Sequence, residues 1–579
     1  MPAASGHPGP PALPGAEVAG VRRTRYYLGD AFVVEHAPEP AGGPVSATGV
    51  LLMPPFGYED TCAYRPLRVL ADALARAGHV VVRIDWPSLG DSASEPLLAD
   101  LVASGRAVVA QAVQALRDRG FPRISGIGVR GGGLIALAAT GLDGLVLWGV
   151  PPSGKAYLRE ERAFHQTAAR AYGRVPESAA AMPGGALEAG GFVYGPKTTA
   201  ALQGLSAEAL AAEGRLRRVL LIGRDGIMTP SGLLDAFRRA GTDVSVSSAR
   251  GLAALLENSY HSELTAEVEA AIRSWLSVDP GTVVPAPGVG AAFLELEGGV
   301  RERAVVLEGE VGELSGILCE PPVGIQPGMG WTLFLNAGGI RRSGPNRLWT
   351  RAARRLASEG RPSFRFDVRD VGDSDGTAVP HPDLEAMYSE SSIQDAVRAY
   401  DWARAQGAGD IDVVGLCSGS FLGIQLAARR QVRRALLFNG LAYVWNEDAR
   451  ASGVTSHLRA SLFDARRWRR LLTGRISAVS VVRAIASKAV MAMAAMMAGH
   501  RGPVRRDEVE DLFRTVADRG TLIHLVSSEG DPSIPYLERH VPPAHRPGWT
   551  ILPGVDHTIR PVWAHDHVVD LIGEKQIKF

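Results

Sequence analysis

A long internal repeat is the feature that most limits how this chain of 579 residues can fold. A short apolar run ending in Arg-x-Asp is followed by a Gly-Asp-Ser turn, once at 83–92 and again at 365–374, an offset of 282 residues. Amphipathic helical sequence precedes both copies, at 65–75 and 351–357. Because solenoid repeats have periods of about 20–50 residues, this period indicates two domains of one design.

Each half of the chain alternates short apolar runs with amphipathic helical sequence. This alternation predicts an α/β fold in which each half builds a mostly parallel sheet flanked by helices. We predict a disordered leader at 1–20, a first domain at 21–277 and a second at 290–579. The linker is expected at 278–289, where Asp-Pro-Gly and Pro-Ala-Pro-Gly break helix and strand. A helical insertion follows the sixth strand of each half, at about 443–518 in the second.

Composition excludes several classes of protein. The 62 Lys and Arg residues balance 61 Asp and Glu residues, so the charge gives no argument for a nucleic-acid partner. Three distant cysteines, Cys62, Cys319 and Cys417, have neither metal-ligand spacing nor the even number of a disulfide framework. We therefore expect no metal, no cofactor and a reducing, cytoplasmic setting. The most apolar run, 489–499, is about half the length of a membrane span, and we expect none.

Cys417 stands between an apolar run at 411–416 and a helix-compatible run at 421–429. Gly415 and Gly419 flank it, and glycines at this spacing allow a sharp strand-to-helix turn that raises the central side chain above the sheet. A thiol facing a helix N-terminus is favoured as thiolate, the nucleophilic form. The alternative is a buried structural cysteine beside a tight turn, since free cysteines are among the most buried residues.

Two residues further along the chain could activate this thiol. Asp531 follows an apolar run at 521–526, and His557 lies in a loop after a late apolar run. The order nucleophile, acid, histidine is similar to that of α/β-hydrolases, so Asp531 would orient His557 as the base for Cys417. Glu529 is a rival acid. The alternatives to catalytic roles are that His557 is an ordinary loop histidine and that Asp531 is a turn residue.

The expected oxyanion hole uses two backbone N–H groups, that of Ser418 after the nucleophile and that of Gly339 in a glycine-containing loop. Three arginines follow this loop: Arg341, Arg342 and Arg347. We interpret them as solvated surface charge, with attraction of a carboxylate or a carrier phosphate as the alternative.

The first half lacks the same chemistry. Arg130 takes the position that Cys417 has in the second half, and a guanidinium cannot attack a carbonyl group. Asp225 and His261 occupy the matching acid and base positions. We therefore predict that the domain at 21–277 is a non-catalytic scaffold or intramolecular partner of the second domain.

Several motifs together resemble α/β-hydrolases that occur with exosortase systems and in specialised-metabolite gene clusters. The second half is similar to members with a Gly-Leu-Cys elbow, and the first half to a companion type. The matching segments are 54–59 and 90–92 in the first half and 338–339, 344, 347, 365–367, 372–374, 415–417 and 463–474 in the second. The resemblance covers most of 25–579, and Arg130 and the fusion itself depart from the pattern.

The resemblance implies two α/β-hydrolase domains in tandem, each with a helical lid, and acyl chemistry at Cys417. Polyhydroxyalkanoate synthases also place a cysteine in a hydrolase elbow, which favours acyl transfer. We predict a cysteine-dependent acyltransferase or thioesterase-like enzyme of specialised metabolism. Its substrate would be an acyl thioester or ester, carried by a carrier protein or CoA. Plain ester or amide hydrolysis, and a non-catalytic acyl-binding scaffold, remain alternatives.

Overall fold

The chain forms two large sheets, one in each half. The computed structural model describes residues 20–39, 45–172, 182–227, 231–276, 290–310, 312–376, 384–445, 506–543 and 546–573. We call residues 20–276 the first unit and residues 290–573 the second unit. Almost all of the predicted leader, the linker and most of the lid, with its segment at 463–474, lie outside the described residues, so they stay predictions.

The first unit contains ten strands and nine helices in its described residues. The strands are β1 (Val21–Leu28), β2 (Ala31–Pro38), β3 (Thr48–Met53), β4 (Val80–Ile84), β5 (Arg123–Val129), β6 (Gly144–Trp148), β7 (Leu187–Ala189), β8 (Phe192–Tyr194), β9 (Arg218–Ile222) and β10 (Asp243–Ser247). The helices are α1 (Gly57–Arg76), α2 (Leu101–Asp118), α3 (Gly131–Ala138), α4 (Gly154–Ala168), α5 (Pro196–Gln203), α6 (Ala207–Ala212), α7 (Ser231–Arg239), α8 (Leu252–Leu255) and α9 (Ala266–Leu276).

The second unit contains nine strands and seven helices in its described residues. The strands are β11 (Phe293–Glu295), β12 (Arg301–Gly309), β13 (Gly312–Glu320), β14 (Trp331–Phe334), β15 (Ser363–Phe366), β16 (Ile411–Leu416), β17 (Arg434–Phe438), β18 (Leu522–Ser528) and β19 (Gly548–Leu552). The helices are α10 (Leu348–Ser358), α11 (Leu384–Met387), α12 (Glu390–Ala405), α13 (Ser418–Arg429), α14 (Arg506–Asp518), α15 (Ser533–His540) and α16 (His565–Ile572).

The two sheets share one strand order. The first runs β1-β2-β4-β3-β5-β6-β9-β10, and the second runs β12-β13-β15-β14-β16-β17-β18-β19 with β11 added at its edge. In the first sheet, all neighbouring strands from β4 to β10 in this spatial order pair in parallel. In the second sheet, the same holds from β15 to β19. Helices cover both faces, so central strands such as β4 and β17 are buried along their whole length. The predicted fold class, two α/β units with mostly parallel sheets flanked by helices, is confirmed.

A helix that spans a membrane must be both long and apolar. Within the ranges that the structure describes, no helix combines the length and the apolar character that a membrane crossing requires.

Buried ion pairs join the two units, and they use the repeated motif reciprocally. Arg83 of the first unit pairs with Asp373 of the second, and Arg365 of the second unit pairs with Asp91 of the first at 3.2 Å. The two arginines are equivalent in the repeat, and so are the two aspartates. The Arg-x-Asp and Gly-Asp-Ser motifs therefore build an interface with approximate two-fold character, in which the same patch of each unit meets its counterpart.

Arg342 lies at the centre of this interface. Its guanidinium pairs with Asp91 of the first unit at 2.9 Å, and with Asp367 and Asp373 of its own unit at 2.7 and 3.0 Å. All four side chains are fully buried. A buried charge without a partner is strongly destabilising, so these contacts require both units to be present.

The two neighbouring arginines of the sequence also cross the interface. Arg341 pairs with Asp60 at 2.8 Å and with Asp85 at 2.7 Å, both in the first unit. The guanidinium of Arg347 donates to the main-chain carbonyls of Ser88, Gly90, Ser92 and Ser94 at 2.6–3.1 Å. The interpretation of Arg341, Arg342 and Arg347 as solvated surface charge is therefore wrong. All three are buried, and each has partners in the other half of the chain, which local sequence does not reveal.

Candidate active site

Cys417 lies on a sharp turn between β16 and α13. Its backbone has φ 58° and ψ −116°, a conformation that non-glycine residues rarely adopt and that is found at strained functional sites. Glycines make the turn possible: a Cβ on Gly415 would lie 2.1 Å from the carbonyl oxygen of Gly419, and one on Gly419 would lie 2.6 Å from that of Asn336. The geometry has the features of a nucleophile elbow, with the side chain raised at the carboxyl end of the sheet.

His557 and Asp531 meet in the second unit. Nδ1 of His557 lies 2.7 Å from Oδ2 of Asp531, which directs the other ring nitrogen away from the carboxylate. Burial works to raise the pKa of Asp531, but hydrogen bonds with His557 and Ser533 outweigh it and lower the pKa. The rival acid, Glu529, instead accepts a hydrogen bond from the N–H of Gly554 at 3.2 Å. The structure thus pairs His557 with Asp531.

Two further contacts fix this pair. The N–H of Ser533 donates to Oδ1 of Asp531 at 2.8 Å, which holds the carboxylate at the start of α15. The side-chain amide of Asn439 donates to the carbonyl oxygen of His557 at 2.7 Å, which holds the histidine loop against the end of β17. An imidazole held in this way keeps one orientation, as a general base requires.

Cys417 and His557 shift each other's charge state. Burial acts to raise the pKa of the Cys417 thiol, but His557, the Tyr388 hydroxyl and the backbone N–H of Ser418 together lower it. Burial acts to lower the pKa of His557, but Cys417 and Asp531 raise it. Both shifts favour a thiolate–imidazolium pair, which exists between the lowered pKa of the thiol and the raised pKa of the imidazole.

The expected oxyanion donors lie beside the thiol. The N–H of Ser418 faces the sulfur of Cys417, while the Ser418 hydroxyl accepts a hydrogen bond from the N–H of Gly338 at 2.9 Å. The loop that contains Gly339 lies against the first unit, since a Cβ on the preceding Gly338 would lie 1.6 Å from the hydroxyl oxygen of Tyr260. The structure therefore brings Ser418 and Gly339 to the site, together with a side chain that sequence reasoning did not consider.

Two tyrosines near Cys417 were missed by sequence reasoning. Oη of Tyr388, which lies just before the N-cap Ser389 of α12, is 4.0 Å from the Cys417 sulfur. Tyr260 lies in the first unit, 157 residues before Cys417 in the sequence. Neither belongs to a local motif, and only the spatial arrangement of the elements identifies them.

The first unit keeps the elbow but fills it with Arg130. This residue has φ 51° and ψ −123°, nearly the backbone conformation of Cys417. Its guanidinium pairs with Glu59 at 2.8 Å and Glu160 at 2.6 Å, and it donates to the carbonyl oxygen of Gly149 at 3.3 Å. The position is therefore occupied by an ion-pair cluster.

The acid position of the first unit has a structural role. The Asp225 carboxylate accepts hydrogen bonds from the N–H groups of Gly251, Leu252 and Ala253 at 2.7–3.2 Å, which caps α8. His261 is exposed at the surface. The first unit thus uses its counterpart of Asp531 to fix a loop.

Comparison with known proteins found distant similarities to solved structures. No family model matches the chain, and no curated protein matches it. Among solved structures it is similar to an α/β serine hydrolase homologue from Coxiella burnetii, at 13% identity over 48% of this chain and 97% of that chain, with a TM-score of 0.30. It is also similar to a proline iminopeptidase from Mycobacterium smegmatis, at 17% identity over 47% of this chain and 98% of that chain, with a TM-score of 0.32.

Replacement of His557 tests the base. We expect His557→Ala to lower the rate of any reaction at the Cys417 thiol about a hundredfold or more, because general-base assistance of this size is lost. Asp531→Asn should cost as much or less, since it disturbs only the tautomer and orientation of the imidazole. Glu529→Gln is the matched control and should leave the rate near that of the parent protein. Steady-state rates of the three variants check this, and a larger loss for Glu529→Gln than for Asp531→Asn would reassign the acid.

Proposed function

We propose that the second unit is a cysteine-dependent acyltransferase or thioesterase-like enzyme that carries its acyl group on Cys417. The observation that supports this most directly is a cysteine on a strained elbow whose thiol has a lowered pKa beside the His557–Asp531 pair. A thiolate is the nucleophilic form of cysteine, and a neighbouring imidazolium can protonate a leaving group.

The first half-reaction loads the cysteine. The Cys417 thiolate attacks the carbonyl carbon of an acyl thioester or ester, and the carbonyl oxygen becomes an oxyanion facing the N–H groups of Ser418 and Gly339. When the oxyanion collapses, the bond to the leaving sulfur or oxygen breaks. The His557 imidazolium gives its proton to that atom. Cys417 is left as an acyl thioester beside a neutral imidazole.

The second half-reaction releases the acyl group. A hydroxyl, an amine or water gives its proton to neutral His557 while it attacks the thioester carbonyl. Collapse of the second oxyanion expels the Cys417 thiolate and restores the imidazolium. The free energy of a Cys417 thioester lies close to that of a substrate thioester, so a donor bound to a carrier protein or to CoA suits this site.

Intact-protein mass spectrometry tests the proposal. The full chain is incubated with acyl-CoA thioesters of increasing chain length, then with amines, alcohols or water alone. We expect a mass gain of one acyl group that hydroxylamine removes, and a product that follows the acceptor supplied. Release to water alone, whatever acceptor is present, would assign plain hydrolysis. Absence of both adduct and product with every thioester and with activated esters would contradict catalysis and favour a binding scaffold.

A further inference from the structure

The segment of the first unit between α8 and α9 is a fixed turn. Oδ1 of Asn258 accepts hydrogen bonds from the N–H of Tyr260 at 2.9 Å and of His261 at 3.0 Å. The main-chain carbonyl of Asn258 accepts from the N–H of Ser262 at 2.8 Å. These bonds form an Asx-type turn that presents the Tyr260 side chain in one direction. In the repeat this turn corresponds to the histidine loop of the second unit, since it carries His261.

The turn crosses the interface and contacts the oxyanion loop of the second unit. A Cβ on Gly338 would lie 1.6 Å from the Tyr260 hydroxyl oxygen, and one on Gly339 would lie 2.5 Å from the carbonyl oxygen of Ser259. Only glycine permits so close an approach. The Tyr260 ring also packs against the hydrophobic core of the second unit. The glycines of the oxyanion loop are thus shaped to receive a residue of the other unit.

The hydroxyl of Tyr260 lies against the oxyanion loop, beside the candidate nucleophile. It lies next to Gly338, and Cys417 and Gly339 are near enough to shift its pKa. Burial, and then the neighbouring Cys417, raise the pKa of Tyr260 well above its ordinary value, so the hydroxyl stays protonated as a donor. The Cys417 thiol therefore has one tyrosine from each unit beside it, Tyr388 from its own and Tyr260 from the other.

We propose that Tyr260 is a catalytic residue that the first unit supplies to the site of the second. Its hydroxyl donates a hydrogen bond to the Cys417 thiolate and, as the carbonyl of the substrate gains charge, to the oxyanion beside Gly339. The inference rests on the proposed function. It gives the first unit a chemical role although its own elbow holds Arg130. The substrate carbonyl would bind where the two units meet, and neither unit alone would hold a complete oxyanion hole.

Replacement by phenylalanine removes only the hydroxyl. We expect Tyr260→Phe to lower kcat about 10- to 100-fold with little change in KM, because the lost donor acts mainly in the transition state. His261→Ala, which alters an exposed neighbour in the same turn, is the matched control and should leave kcat unchanged. An unchanged or raised kcat in Tyr260→Phe would overturn the proposal, since a residue that merely blocks the site would raise the rate on removal. An equal loss in His261→Ala would also overturn it.

A second measurement does not depend on turnover. Alkylation of Cys417 by iodoacetamide is followed against pH by peptide mass spectrometry in the full chain. A hydroxyl that donates to the thiolate stabilises it, so the pH at which alkylation begins should rise in Tyr260→Phe and stay unchanged in His261→Ala. An unchanged pH profile of alkylation in Tyr260→Phe would contradict a hydrogen bond between Tyr260 and the Cys417 thiolate. If no acyl substrate is turned over but this profile shifts, the proposed function fails while the role of Tyr260 at Cys417 stands.

Discussion

Replacement of Cys417 by alanine is expected to abolish both turnover and the acyl adduct. Every step of the proposed reaction forms or breaks a bond to this sulfur, so no other group of the site can substitute for it. Residual binding and oxyanion stabilisation can still speed attack by water, but only far below the parent rate. Intact mass and product formation with the best acyl thioester measure both effects. Turnover by Cys417→Ala near the parent rate would refute the assignment.

Two further variants sharpen this test. Cys417→Ser should keep partial activity only if His557 can deprotonate a hydroxyl, which needs more help than a thiol does. Cys319→Ala is the control for labelling at another thiol. Cys319 is fully buried, and burial raises its pKa well above the ordinary value, so it should stay protonated and unreactive. The adduct should therefore be the same in Cys319→Ala as in the parent protein.

The elbow and its partners could be predicted because each depends on a short stretch of sequence. The glycines around Cys417 encode the turn locally, since any Cβ at those two positions would collide with backbone. Asp531 and His557 each follow a strand, and parallel strands bring their carboxyl ends to one edge of the sheet. The structure adds that Asp531, and not Glu529, contacts the imidazole.

The role of the repeated motif could not be predicted in this way. Charged residues are usually exposed, so the local sequence favours a surface position for Arg341 and Arg342. Their partners Asp85 and Asp91 lie about 250 residues earlier, and the pairing depends on how the units dock. Tyr260 was missed for the same reason. The residues around Tyr260 in the sequence resemble a histidine loop without a nucleophile to serve. Tyr260 stands out only through its contact with the glycines of the oxyanion loop in the second unit.

We therefore expect the interface and the candidate active site to depend on each other. The arginines after the oxyanion loop hold that loop against the first unit, because Arg341 binds Asp60 of α1 and Asp85 after β4. The same docking places Tyr260 over Gly338. We expect that breaking the ion pairs removes the support of the loop and displaces Tyr260. With Tyr260 acting as proposed, this coupling would give a unit without a nucleophile a role on the same chain as one that has it.

Replacement of Asp373 by alanine is expected to destabilise the protein by about 3–5 kcal/mol, the cost of leaving buried charges unpaired. Asp373 is fully buried, and it pairs with Arg83 of the first unit and Arg342 of the second. It also accepts a hydrogen bond from the Tyr64 hydroxyl at 2.6 Å.

Asp401→Ala is the matched control for Asp373→Ala. Asp401 is 52% exposed and pairs with Arg430 on the surface at 2.7 Å, so its loss should cost about 0–1 kcal/mol. Urea unfolding of both variants, followed by tryptophan fluorescence, gives the two midpoints. Turnover measured well below the midpoint then shows whether the site fails with the interface. Equal midpoints for Asp373→Ala and Asp401→Ala would mean that the buried pairs do not hold the units together, and that Tyr260 is positioned by apolar packing alone.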